Sequence, residues 1–232
     1  MDIAYGPAFI FTSCILSLLA LSLFPLEFHS LLILILMVLW GTRLSARIYS
    51  KNKGKPEDFR YAVWRDLWMS KGKFYFYARS YIQIFLLQGV IVSLVLLPFT
   101  LTLTTVYQAS SLLVAGFLLW IFGFIFESVG DAQLDSFIKD KNPSKGTIMK
   151  SGLWKYTRHP NYFGEATMWI GIACIAFSVS GNIAVFLSPI VITYLLLFVS
   201  GIPMLEKKWA GVPEWEVYKS KTSAFIPLPP KS

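Results

Sequence analysis

All 21 lysines and arginines of this chain fall in three segments, Arg43–Arg79, Lys139–Arg158 and Lys207–Lys231, and the stretches between them are almost free of charge. A soluble chain of 232 residues spreads charge over every face it shows to water. This one gathers it between long apolar runs. Crossing the hydrocarbon of a bilayer takes roughly 20 mostly apolar residues in a helix, and about six runs approach that length. They are Ile3–Phe24, Ser30–Leu44, Phe74–Leu97, Tyr107–Phe126, Tyr162–Val179 and Ile183–Ile202. The second is short and is expected to extend into a turn at Arg43–Ile48. A hydrophobic content of 55% and a mean hydropathy of +0.58 agree with an all-α integral membrane protein.

Orientation follows from the same partition. The loops at 98–106 and 180–182 hold no charged residue, and Pro25–His29 holds only Glu27 and His29. Basic loops stay cytoplasmic, so a first helix starting inside and six passes put every basic segment on one side, with both termini cytoplasmic. The net charge of +8 would point to nucleic acid in a soluble domain. Confined to loops beside spans, it points to lipid headgroups, and no nucleic-acid partner is expected. The chain reads as one domain over 1–232, multi-pass, in a bacterial inner membrane or an endoplasmic reticulum according to its source. The first helix lacks a basic leader and a small-residue cleavage site, so it is expected to be retained. Cys14 and Cys174 sit inside apolar spans without a CxxC pair and are expected to be small buried hydrophobes. The 52–73 segment alternates Phe59, Tyr61, Trp64, Leu67, Trp68 and Met69 with Arg60, Arg65, Asp66 and Lys71, the pattern of a helix lying in the headgroup layer. Pro227, Pro229 and Pro230 end the last amphipathic segment, Met204–Lys221, and nothing folded is expected beyond them.

Polar residues inside or beside the spans mark the candidate chemistry. Pro160 suits the first position of a helix, where its missing N–H is harmless. From there Arg158, Asn161, Tyr162 and Glu165 recur at i, i+3, i+4 and i+7 and share a face. Glu165 lies one to two turns into an apolar helix, where a carboxylate costs roughly 2.5–3.5 kcal/mol on insertion scales, so it must face protein or a wet cavity. The helix start adds free N–H groups that favour an anion, and Arg158 stands beside it. Upstream, Glu127, Asp131 and Asp135 repeat every four residues at the inner end of the fourth span. Three acids on one stripe repel unless solvated or paired; hydrogen bonds to ribose hydroxyls or pairing with Arg158 would satisfy them. A metal is not expected, because His159 is the only nearby imidazole and no ligand spacing is present. Arg43 is a cation at the end of a span, suited to snorkelling or to a phosphate. Gln88 is an amide inside the third span, suited to interhelical hydrogen bonding, and His29 falls on the outer loop with no assigned role. No GxGxxG after a strand, GxxxxGK[ST] or GxSxG occurs, so any nucleotide cofactor must sit among helices.

Taken in order, Trp40-Gly-Thr-Arg43-Leu, Glu57-Asp58-Phe59-Arg60-Tyr61, Leu87-Gln88-Gly89, Phe126-Glu127, Asp131-Ala-Gln133-Leu134, Gly152-Leu-Trp154 with Lys-Tyr156-Thr-Arg158-His-Pro-Asn-Tyr-Phe-Gly-Glu165, Ser200-Gly-Ile-Pro203-Met-Leu-Glu206 and Thr222-Ser-Ala-Phe225-Ile-Pro227 resemble the DUF1295 family. That family is similar to the C-terminal domain of steroid 5-alpha-reductases. The resemblance implies a membrane reductase passing a hydride from NADPH to the beta carbon of an enone, with a lipophilic, steroid-like substrate arriving from the bilayer. It implies that Asn161 and Glu165 meet the nicotinamide end, with Arg158, His159 and Tyr162 in the same cofactor stretch. Glu127 and Asp131 match positions lining adenosine and ribose, and Arg43 matches a phosphate-binding arginine. Tyr218 lies in the matching C-terminal segment, and Lys207 stands where the reductases carry a histidine. The carbonyl-polarising acid of the reductases belongs to a helix before the Arg43 helix, with a tyrosine on the next. Trp40 occupies the tyrosine position, and Asp2, in Asp2-Ile-Ala-Tyr5-Gly6, is the acid candidate. The run around Asp2 resembles a stretch that follows an additional helix in the family, so the core looks like a seven-helix bundle lacking its first member. Isoprenylcysteine carboxyl methyltransferases carry a similar Arg-His-Pro-x-Tyr-x-Gly stretch, which keeps an S-adenosylmethionine-dependent methyltransferase open as an alternative. A non-catalytic membrane protein, with the polar cluster as structural glue, is the third.

Overall fold

A computed structural model describes residues 2–23, 25–54, 59–106, 110–140 and 147–231, and the backbone alone for 2–5 and 59–63. Among these residues the chain is all-helical, with one isolated bridge between Thr157 and Ser223 in place of any strand. Five helical stretches are long and apolar enough to cross a bilayer: Phe28–Asn52, Lys73–Val95, Ser111–Lys139, Pro160–Ser180 and Ile183–Lys207. The described part of the first helix, Gly6–Leu21, is apolar and shorter. The chain divides into two compact units, Met1–Thr104 and Thr105–Ser232.

In the first unit, α1 (Asp2–Leu21) packs along α2 (Phe28–Asn52) at a close crossing. A methyl on Gly6 would overlap Ser45 Oγ and lie 2.5 Å from the Gly41 carbonyl, so backbone meets backbone there. The turn expected at Arg43–Ile48 does not form, and α2 continues to Asn52. Neither glycine nor proline occurs between Thr42 and Gly54, whose positive φ of 76° ends the run, and Lys51 in the last turn complements the helix dipole. His29 is not on a loop. It sits fully buried in the first turn of α2, its Nε2 donating to the Thr102 carbonyl at 3.0 Å, where the Ser30 hydroxyl also donates at 2.9 Å. Two donors thereby satisfy an otherwise orphaned carbonyl at the end of α6 (Leu97–Thr102). Within the amphipathic segment, α3 (Phe59–Met69) leaves Leu67 and Met69 exposed and buries Trp68, which stacks on Trp64. The third span is not uniform: α4 (Lys73–Ser80) widens into a π turn at Tyr81–Leu86 before α5 (Leu87–Val95), where Gln88 is half-buried.

The second unit is built on α7 (Ser111–Lys139) and α8 (Pro160–Ser180). The buried face of α7 reads Leu113, Gly116, Trp120, Gly123, Glu127, Gly130 and Asp131, a seven-residue repeat with glycine at every second seam position. On α8, Gly164 and Gly171 answer it in antiparallel register. A methyl on Gly116 would lie 2.7 Å from the Gly171 carbonyl, and one on Gly123 2.6 Å from the Gly164 carbonyl. The two backbones therefore touch, as small residues permit in membranes. The opposite face of α7 shows Val114, Leu118, Phe122, Ile125 and Val129 outward, as a helix bathed in lipid would. Helix α8 starts at Pro160 as expected and stops at Gly181, whose φ of 62° suits glycine. A 3-10 turn, α9 (Leu187–Tyr194) and a π turn at Leu195–Val199 follow. The Ser200 and Gly201 N–H groups both donate to the Leu195 carbonyl, and a side chain on Gly201 would overlap Leu196, so glycine permits the break before α10 (Ile202–Lys207). Helix α11 (Pro213–Lys221) carries Glu214 and Glu216 in its first turn and Lys219 and Lys221 in its last, matching its dipole. The tail beyond it is held in place, contrary to expectation: Arg158 N–H donates to the Ser223 carbonyl at 2.8 Å, Leu228 N–H to Tyr156 at 3.0 Å and Lys231 N–H to Lys221 at 2.9 Å. Proline cannot form a helix here, but an extended strand of proline-rich chain still offers carbonyls and neighbouring N–H groups to a partner backbone.

Candidate functional site

The acid stripe predicted on α7 proves to be part of the helix seam. Glu127 and Asp131 are 3% and 4% exposed, while Asp135, one turn on, is half-buried. Glu127 stands at a heptad core position, and its backbone N–H would be only 2.5 Å from a methyl on Gly164. Gly130, between the two buried acids, faces Pro160 and the Asn161 backbone. The start of α8 thus lies directly against the acids, and Asn161, Tyr162 and Glu165, all half-buried, follow it along the same helix. Asn161 Oδ1 is buried with no hydrogen-bond partner among the described residues. Burying an amide acceptor unpaired costs about 1–3 kcal/mol, so a donor brought to Oδ1 would be favoured.

Just before α8, Arg158 and His159 turn away from this acceptor group and toward Glu206 on α10. Arg158 is 8% exposed. Its Nε donates to Glu206 Oε1 at 2.9 Å, its Nη1 to the Lys219 and Thr222 carbonyls, and its guanidinium lies 5.8 Å from the Trp215 ring centre. His159 Nε2 meets the same Glu206 oxygen at 3.1 Å, with the imidazole stacked on Tyr162. Lys219 Nζ approaches Glu206 Oε2 at 3.9 Å. One carboxylate so fixes the loop before α8, the end of the last membrane helix and α11.

Tyr218 extends the connection. It is 5% exposed, its hydroxyl donates to the Trp154 carbonyl, and Trp154 Nε1 donates to the Gly130 carbonyl at 3.0 Å, between the two buried acids. Burial pushes the Tyr218 hydroxyl well above its ordinary range, so it remains a donor at any physiological pH. Gln133 Oε1 accepts from Leu153 N–H at 2.9 Å, and Gly152, at a φ of 62°, lies against that amide where a side chain would overlap it. Lys207, by contrast, is exposed at the end of α10.

Of the residues singled out from sequence, Glu127, Asp131, Asn161 and Glu165 belong to one helix pair, Arg158 and His159 to the Glu206 cluster, and Tyr218 to the Trp154 link. Trp40, Arg43 and Asp2 belong to the other unit. Trp40 is 2% exposed with its ring edge-on to Phe9, Arg43 is half-buried on α2, and the Asp2 side chain lies outside the described residues, as do Glu57 and Asp58. Sequence reasoning quoted Glu206 and Trp154 in the family stretches but missed Glu206 as the partner of Arg158 and Trp154 as the link to Gly130. The available signal was an acid immediately following the sixth apolar run, in Pro203-Met-Leu-Glu206. No group of three or more histidine, cysteine or carboxylate side chains able to hold a metal occurs among the described residues.

A search of curated proteins and a search of solved structures each returned no match to the chain. The family model described as a protein of unknown function, DUF1295, matches residues 1–222. A glycine-seamed helix pair with buried acids, its second helix started by proline and held by a C-terminal clasp, is the architecture of a chain that belongs to the DUF1295 family.

Proposed function

We propose that this protein is a six-pass membrane oxidoreductase with both termini cytoplasmic that uses NADPH to reduce the carbon–carbon double bond of an enone in a lipophilic, steroid-like substrate. The observation that carries the reading is the pair of almost wholly buried carboxylates, Glu127 and Asp131, packed against a helix start whose Asn161 presents a buried acceptor without a hydrogen-bond partner among the described residues. Acceptors in that number suit a ligand rich in hydroxyl and amide donors, which a dinucleotide supplies through its riboses and carboxamide. Lysines exposed at 150, 155, 207, 208, 219 and 221 draw a polyanion to the same end of this unit. When bound, NADPH supplies a hydride to the beta carbon of the enone. The chain's part is to orient it: Asn161 Oδ1 accepts from the carboxamide, and the two carboxylates accept from ribose hydroxyls. Arg158 acts at one remove, holding the loop from which α8 starts.

A non-catalytic reading draws on one specific observation, that Arg158, His159 and Tyr218 are all engaged by groups of the chain itself. Titration of the purified full chain with NADPH, followed by tryptophan fluorescence, separates the readings. Saturable binding is expected, weakened at least tenfold, about 1.4 kcal/mol, in Asn161→Ala and Glu127→Gln. Saturable binding of S-adenosylmethionine with none for NADPH moves the chain to the methyltransferases, and binding of neither leaves the structural reading.

A further inference from the structure

A second feature of the Thr105–Ser232 unit is a cleft of about 460 Å³ between the loop that precedes α8 and α11. Lys150, Lys155 and Lys221 stand at its exposed rim, and Pro213, Val217 and Pro230 line it with apolar surface. Glu214 is the one acid among the described residues that line the cleft, and it is committed: Lys150 Nζ donates to its Oε1 at 2.7 Å, and the Thr147 N–H and hydroxyl donate to its Oε2 at 3.0 and 2.8 Å. That pairing leaves Lys155 and Lys221 as the net positive charge of the rim. The volume is in the range of small-ligand sites, and its lining sets apolar side chains beside charged ones.

The surroundings point the same way. Lys155 ends the short turn just ahead of Pro160, where α8 begins its passage, and Tyr156 beside it is 43% exposed. The tail brings Leu228, also exposed, against Tyr156 through its N–H, and Val217 and Ile226 are exposed as well. Exposed apolar side chains with an aromatic ring and lysines, next to the start of a membrane helix, form an interfacial surface. We infer that this cleft binds the phosphate headgroup of an anionic phospholipid, with the phosphate between Lys155 and Lys221 and the glycerol end over Val217. The occupant is an amphiphile because the charge and the exposed apolar edge adjoin. A free phosphate uses only the first of these.

The test needs no nucleotide, so it stands apart from the reductase reading. The purified full chain in neutral detergent is titrated with phosphatidylglycerol and with phosphatidylcholine, and bound lipid is counted by native mass spectrometry. Each lysine at an anionic surface contributes about fivefold in affinity, so Lys155→Gln with Lys221→Gln should weaken phosphatidylglycerol about 30-fold. The same loss of charge outside the cleft, at the exposed ends of α2 and α7, Lys53→Gln with Lys139→Gln, should weaken it less than threefold. Val217→Glu, on an exposed side chain, should reproduce the loss and serves where the lysine pair does not express. Equal losses in both double variants, an unaffected Lys155/Lys221 variant, or displacement of the lipid by inorganic phosphate at matched concentration each overturns the inference.

Discussion

Gly123→Ala tests the seam directly. The added methyl would lie 2.6 Å from the Gly164 carbonyl oxygen and 2.7 Å from the Met168 nitrogen, both backbone atoms that no rotamer change can move aside. Reaching ordinary contact at 3.4 Å requires α7 and α8 to part by about 0.8 Å. A gap of 0.5–1 Å forfeits roughly a quarter to a half of each pairwise attraction across it, and the loss runs along the seam because both helices are stiff. Overpacking of this kind typically costs about 1–3 kcal/mol. Alanine's helix propensity returns at most about 1 kcal/mol, so net destabilisation is expected. Denaturant titration of the full chain in detergent, followed by tryptophan fluorescence, measures it. Gly89→Ala is the internal control: it lies in a helix with nothing within 4 Å, so there alanine should be neutral or stabilising. A Gly123→Ala protein as stable as the wild type, or equal damage at both glycines, would refute the backbone-contact account.

Other outcomes follow from the clasp. Glu206→Leu should destabilise by roughly 3–5 kcal/mol, because it strands Arg158 in a site where it is 8% exposed; Arg158→Met added to it should restore much of the loss in a double-mutant cycle. Tyr218→Phe removes only the donation to the Trp154 carbonyl and should cost about 1 kcal/mol while leaving NADPH affinity unchanged; a selective loss of affinity would instead put Tyr218 at the cofactor. The Lys150 ammonium, with help from Thr147, lowers the Glu214 carboxyl to about 2 from an ordinary 4.5. Its folded value is depressed, so its contribution is present above pH ~4.5 and fades as pH falls toward 2. The difference in melting temperature between wild type and Glu214→Gln should therefore narrow across that window, and a constant difference would contradict it.

Hydropathy and charge made the spans legible, because the cost of lipid exposure acts on each residue by itself. Helix ends were legible where one residue decides them, as at Pro160. What depends on pairs distant in the chain was not. Arg158 meets Glu206 from 48 positions away, and nothing local to either distinguishes that partner from a phosphate. His29 read as a loop residue because the apolar run begins after it, yet its imidazole is what the end of α6 needs. The glycines at 116, 123, 130, 164 and 171 were in plain view at heptad spacing. They carry no hydropathy signal, and only their opposition across two helices gives them meaning. The same seam makes Glu127 a core residue, which a stripe of acids at the end of a span did not reveal.

The C-terminal clasp has a consequence in time. Thr157 donates its hydroxyl to the Phe225 carbonyl, 68 positions later. A ribosome adding about 5–20 residues per second needs roughly 3 to 14 s to cover that interval. Throughout it, the loop ahead of α8 must wait without its partner backbone, and for the first 48 residues of it Arg158 is also without Glu206. The order of synthesis therefore leaves a window in which α8 has been made and the backbone that holds its leading loop has not.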